Sequence, residues 1–199
     1  MILLGLTGGI AAGKSYVGRL IARRGIPVID ADVLAREAVS PGSEGFREVA
    51  RAFPRAIRQG EIDRAALGRI VFSDPVSLSR LEGIIHPRVR QAFYREKERL
   101  RDEPVVVYEV PLLFERGIDR EVDSTLVVDV PESLQLTRLL ARPHMTEEEA
   151  KRRMASQIGR QERLSRADFI ISGSLSEEET EKELSRILGE IMSQPPKLS

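Results

Sequence analysis

The run Gly8-Gly9-Ile10-Ala11-Ala12-Gly13-Lys14-Ser15 constrains this chain more than any other feature, because it satisfies G-x-x-x-x-G-K-[ST] in full. Residues 2–6, just before it, form a short continuous apolar stretch of the kind buried on both faces of a parallel sheet. Just after it, Val17, Leu20 and Ile21 recur at helical spacing, and Gly25 is placed to end that helix. Glycines between a strand and a helix let the backbone turn tightly and aim successive N–H groups inward. The helix adds its positive dipole end, so the turn is suited to an anion. In such a loop Lys14 reaches the β- and γ-phosphates of a nucleoside triphosphate, and the Ser15 hydroxyl is a ligand for Mg²⁺. The plain alternative is a chance glycine turn, against which the flanking strand and helix both argue. A second strand at residues 26–29 ends in Asp30-Ala31-Asp32 and completes a βαβ unit.

Beyond that unit the pattern changes. Over residues 42–103, Leu67, Ile70 and Val71 form one helical stripe and Leu78, Leu81 and Ile85 another, with no convincing strand, so the stretch reads as a helical insertion. Pro87 is expected to break or kink the helix around His86. Strand character returns at residues 104–109 and 124–130, and a helix follows from Glu132 until Pro143 stops it. Thr146-x-x-Glu149 and Ser176-x-x-Glu179 have the form of capping boxes, with a last strand at Phe169-Ile170-Ile171 between them. Leu184, Ile187, Leu188 and Ile191 give a closing amphipathic helix, and residues 194–199 read as a frayed tail. The expected fold is a single α/β domain over residues 1–199, a P-loop NTPase fold with five parallel strands and helices on both faces.

Composition narrows the classes of partner. Lys and Arg together number 31 and so do Asp and Glu, so a net charge of zero gives no general electrostatic case for nucleic acid or an anionic membrane. The absence of cysteine excludes disulfides, thiolate catalysis and Cys-ligated metal, and suits a reducing cytoplasm. No apolar run approaches the length of a spanning helix, and the N-terminus reads as a strand, not a leader; a soluble cytoplasmic protein, monomer or small homo-oligomer, is the expectation.

Among P-loop proteins, a GTPase normally carries N-K-x-D, which does not occur here, and an ABC-type signature is likewise absent. Small-molecule kinases remain. Ligands of open α/β sheets bind at the C-terminal strand edge, so Asp30 and Asp32 are either placed to take a proton from an attacking hydroxyl or are helix-capping acids.

Leu6-Thr7-Gly8-Gly9-Ile10, Gly13-Lys14-Ser15 and Val28-Ile29-Asp30-Ala31-Asp32 together resemble the bacterial dephospho-CoA kinases. The resemblance continues through Ile62-Asp63-Arg64-Ala65-Ala66-Leu67, Val71-Phe72, Ile85-His86-Pro87, Pro111-Leu112-Leu113-Phe114-Glu115 and Arg166-Ala167-Asp168, in the family's order over nearly the whole chain. It implies ATP-dependent phosphorylation of the ribose 3′-hydroxyl of dephospho-CoA, a P-loop core, a helical CoA-binding insertion at 42–103 and a lid at 138–160.

Carried over by motif, Asp32 is the expected general base, with Asp30 supporting it or fixing the turn. Residues Gly8 through Ser15, with Tyr16 and Ser172, are expected to hold ATP, and Thr7, Asp32, Arg64, His86 and Arg90 to contact the acceptor. Arg64 and Arg90 have an equal claim to be solvated surface arginines. Arg138 and Arg142, four apart and expected on one helical face, resemble the start of the family's lid, and Arg142 is the better match for its phosphoryl-binding arginine. Ser15 and Glu109 are the candidate Mg²⁺ residues.

Three positions depart from the family's pattern. Glu109 stands where aspartate is common, moving the carboxylate outward by one methylene. Ala11-Ala12 replaces Gly-Ser, at a steric cost if Ala11 needs a positive φ. Ser172 replaces an asparagine, exchanging an amide for a hydroxyl. A kinase for another small hydroxyl acceptor shares the core features. A non-catalytic ATP sensor shares the loop but has no need of Asp32.

Overall fold

In the computed structural model, which describes residues 1–193, β1 (Ile2–Gly8) leads through the glycine loop into α1 (Lys14–Arg23) and then β2 (Val28–Asp30). Four helices follow, α2 (Ala31–Ala38), α3 (Glu44–Ala52), α4 (Arg64–Ser73) and α5 (Pro75–Arg99), with the short strands β3 (Ile57–Arg58) and β4 (Glu61–Ile62) between α3 and α4. The chain continues through β5 (Val105–Glu109), β6 (Ser124–Asp129), α6 (Glu132–Leu140), α7 (Glu147–Ala155), α8 (Arg160–Ser165), β7 (Phe169–Ser172) and α9 (Glu177–Ser193). The tail expected at residues 194–199 lies outside the described residues. The chain divides into two units, residues 1–29 with 100–199, and residues 30–99.

The first unit is built on a five-stranded sheet of order β2-β5-β1-β6-β7, in which β1 pairs in parallel with β5 and β6, and β6 with β7. Every residue of β1, β5 and β6 is buried, as their near-continuous apolar sequence requires. Leu4, Leu6, Val17, Leu20, Ile21, Val107, Leu126, Val128, Leu184 and Ile187 belong to one core, so α1 and α9 pack their apolar stripes onto the strands around β1. β2 is shorter than residues 26–29 suggested: it starts after Pro27, which has no N–H for a ladder, though its carbonyl accepts Val107 N–H at 2.9 Å. Gly25 takes φ 79° just after α1, where a left-handed residue closes the helix. At the start of α9 the Ser176–Glu179 capping box is reciprocal: Glu179 N–H donates to Ser176 Oγ (3.3 Å) and Ser176 N–H to Glu179 Oε2 (2.9 Å).

The second unit has its own core of Val49, Phe53, Ala56, Ala66, Leu67, Val71 and Ile84. Here one expectation fails, and of the break or kink expected at Pro87 the break does not occur. The stretch contains a hairpin, β3 with β4, turned by Gln59 (φ 52°) and Gly60 (φ 80°); two consecutive positive φ values suit a tight two-residue hairpin turn. Pro87 does not break its helix, because α5 runs 25 residues through it. The carbonyl that loses a partner to proline belongs to exposed Gly83, which water can reach, and Arg88 adds a guanidinium hydrogen bond to Ile84 O at 2.7 Å in the same turn.

Candidate active site

The phosphate loop leaves the C-terminal end of β1, the central strand, and its shape follows from its residues. Gly13 precedes α1 at φ 104° and Ala11 sits at φ 61°. For alanine that conformation costs about 1 kcal/mol, the steric penalty anticipated for the Ala11-Ala12 pair. Gly8 approaches the Val128 carbonyl so closely that a Cβ there would overlap it, and a Cβ on Gly173 would overlap the Ala12 carbonyl. Glycine at both positions lets three backbone segments converge.

Three candidate side chains meet at the start of α1. Lys14 Nζ lies 2.6 Å from Glu109 Oε1, and Ser15 Oγ donates to the same oxygen at 2.9 Å. Glu109 ends β5, adjacent to β1 in register with Leu6, and is 4% exposed. Its extra methylene therefore does not carry the carboxylate away from the loop. Ser15 is exposed, and its hydroxyl beside a carboxylate offers the hard oxygen donors that Mg²⁺ takes while keeping several waters. Among the described residues no group of three or more His, Asp or Glu is arranged to hold a metal unaided.

Arg138 braces the loop from α6. Its guanidinium donates to the carbonyls of Ala11 (3.2 Å), Ala12 (3.2 Å) and Gly173 (2.9 Å), joining the loop to the segment after β7. Arg142 does not share that face, because α6 ends at Leu140 and Pro143 disfavours helical geometry in the residue before it. Its side chain is exposed, without a hydrogen bond or ion pair among the described residues. Ser172 is exposed and its Oγ accepts Ser174 N–H at 3.2 Å, a local turn contact. The Tyr16 ring packs on the core beside Glu177, and desolvation followed by that carboxylate pushes the phenol's pKa up. Thr7 is buried, with Oγ1 donating to Pro111 O at 3.3 Å.

Apart from Thr7, the candidate acceptor residues lie in the helical unit. Asp30 caps α2, accepting N–H bonds from Asp32 (2.7 Å) and Val33 (3.2 Å), so it fixes the turn. Asp32 occupies the first turn of α2 at an exposed position. It lines a cavity of about 620 Å³ together with Arg36, Arg64, Leu67, Phe72 and Ile85. Arg64 begins α4 and is exposed; Asp63 before it caps the helix through Ala66 N–H at 2.9 Å, which lowers the Asp63 carboxyl pKa. His86 and Arg90 are exposed on α5, Arg90 with its guanidinium 5.6 Å from the Tyr94 ring centre, and neither lines that cavity.

Several loop contacts have no signal in the sequence. Gln157 Oε1 accepts Ile10 N–H at 2.7 Å across 147 residues, and the next residue, Ile158, donates its N–H to Glu115 Oε1 at 3.0 Å. Arg163 is 5% exposed, its Nη2 close enough to Gly9 to crowd any side chain there, and burial lowers its pKa. Arg160 pairs with Asp129 at 2.6 Å at the end of β6. No local pattern distinguishes these arginines and this glutamine from others in a chain rich in both charges.

This geometry can be set beside known proteins. The dephospho-CoA kinase family model matches residues 2–179. A dephospho-CoA kinase of Geobacillus kaustophilus is 46% identical over 191 residues, covering 94% of this chain and 95% of that protein. A crystal structure from Thermus thermophilus superposes with a TM-score of 0.84 at 37% identity, covering 95% of this chain and 97% of that one. Dephospho-CoA kinase from Campylobacter jejuni gives 0.71 at 29% identity, covering 96% of each chain. With the loop, the buried Glu109 and the helical unit all present along a match of that extent, the chain belongs to the dephospho-CoA kinase family.

Proposed function

We propose that this protein transfers the γ-phosphoryl group of ATP to the ribose 3′-hydroxyl of dephospho-CoA, giving coenzyme A and ADP, as a soluble cytoplasmic enzyme. The observation that carries this reading is the joining of Lys14, Ser15 and Glu109 at the start of α1 in a member of this family. Such a cluster has little use without a polyphosphate to bind.

Asp32 takes the proton of the 3′-hydroxyl as its oxygen attacks the γ-phosphorus and the bond to the ADP oxygen breaks. Lys14 exchanges Glu109 for the β- and γ-phosphoryl oxygens and offsets their charge. Arg138 holds the Ala11 and Ala12 carbonyls, which fixes the backbone of the loop that receives the phosphates. Arg142, exposed near the start of the 138–160 lid segment and without a hydrogen bond or ion pair among the described residues, moves onto the phosphoryl group. Ser15 and Glu109 would hold Mg²⁺, which when bound spreads the charge of the phosphate oxygens. Thr7 and Asp30 position the turns around them. Residues 42–103 receive the acceptor: Arg64 and Arg90 suit its pyrophosphate and His86 its polar groups, while the apolar wall from Leu67 to Ile85 suits its uncharged arm.

ADP release measured with dephospho-CoA, nucleosides, shikimate and gluconate in parallel tests this assignment. The expected result is turnover with dephospho-CoA far above the other acceptors. Equal or higher turnover with another acceptor overturns the substrate, and ATP binding without ADP formation in every case overturns the kinase reading.

A further inference from the structure

Gly18 lies inside α1, buried, without a positive φ to explain a glycine there. Helix propensity alone favours alanine at such a position. The neighbourhood supplies the reason. A Cβ built on Gly18 would overlap Glu109 Oε2 and stand 3.3 Å from Glu109 Cδ, while the next atom, Leu6 Cδ2 at 3.5 Å, is in ordinary contact. The far end of a glutamate usually swings aside easily. This one is 4% exposed, and its other oxygen holds Lys14 at 2.6 Å and Ser15 at 2.9 Å, so moving Oε2 pulls Oε1 off both.

We infer that Gly18 is a positioning residue whose missing side chain makes the room a glutamate needs at position 109. The two positions form a size-matched pair: a longer acid on β5 is accommodated by an empty place on α1, and the carboxylate then reaches the lysine and serine of the loop. The inference rests on the proposed ATP-binding role of that loop. It also specifies what an aspartate at 109 changes, since an acid shorter by one methylene leaves the place at 18 unfilled and tolerates a Cβ there.

Gly18→Ala, Glu109→Asp and the double variant, compared with the parent chain, provide the test. ATP affinity is titrated with and without Mg²⁺, and the thermal midpoint of the ligand-free protein is recorded; neither readout requires an acceptor, so a wrong acceptor assignment leaves this test intact. Alone, Gly18→Ala should weaken ATP binding in Mg²⁺ by about tenfold and lower the midpoint, as overpacking a buried site does. In the Glu109→Asp background the same change should leave affinity within about threefold and raise the midpoint, because only the helix preference for alanine remains. A Gly18→Ala single variant that fails to fold, beside a double variant that folds, also supports the pairing. Equal effects of Gly18→Ala in both backgrounds, or failure of both to fold, overturn it.

Discussion

Around the phosphate loop, polar groups are joined across long stretches of chain: Lys14 to Glu109, Ile10 to Gln157, and Arg138 to three carbonyls. In the helical unit, Asp32, Arg64, His86 and Arg90 instead stand at exposed positions, and the first two border an open cavity. The difference matches the tasks assigned to each. A triphosphate has fixed charge and shape, so a site built in advance loses little to reorganisation on binding it. A long, flexible acceptor meets its site mostly through surface and a few polar groups, and exposed side chains can adapt to it.

If that division is right, substitutions in the two units separate binding from turnover. The largest effect is expected of Asp32→Asn, which should lower kcat by about 10²–10⁴-fold, the usual worth of a general base, while ATP affinity by titration stays near the parent value. Near-normal kcat would remove Asp32 from its role. Lys14→Ala should cut kcat/KM by about 10²–10³-fold and weaken ATP binding together with turnover, since one donor serves both bound and transferring phosphate. Unchanged ATP affinity there would break the comparison on the loop side.

Smaller effects sharpen it. Arg138→Ala removes charge-assisted hydrogen bonds to two loop carbonyls and to that of Gly173, so ATP affinity should fall about tenfold with the KM for dephospho-CoA unmoved. A KM that rises for dephospho-CoA alone would instead place this arginine on the acceptor. The smallest effect is acid sensitivity at the α4 cap. Ala66 N–H holds the Asp63 carboxyl below its usual pKa, so the stabilisation is present above about pH 4 and is lost as pH falls through the lower folded value. Asp63→Ala should lower the thermal midpoint at neutral pH and flatten its fall in acid. An unchanged acid slope would show that the cap is not what titrates.

The sequence made the first unit legible because its signals are local. Glycine spacing, an apolar run and a helical stripe locate the loop, and β1, β5 and β6 read as strands because both faces are apolar. The helical unit was legible only in part. Helices α2 and α3 are short and lie next to polar turns, and the Gln59-Gly60 hairpin has strands of two residues, too short for any alternation to register. Pro87 does not break its helix, because the freed carbonyl belongs to exposed Gly83. Within the candidate site, only residues in or adjacent to a motif were named from the sequence. Gln157, Arg160, Arg163 and Gly18 were not, since each acts through a partner roughly 30 to 150 residues away, and only folding brings the two together.

The most direct measurement is phosphorus NMR of the complete reaction with ATP, Mg²⁺ and dephospho-CoA. The account predicts one new phosphomonoester resonance, that of the ribose 3′-phosphate of coenzyme A, growing in equal amount with ADP. Phosphate attached at any other oxygen, or ADP accompanied only by inorganic phosphate, would contradict it.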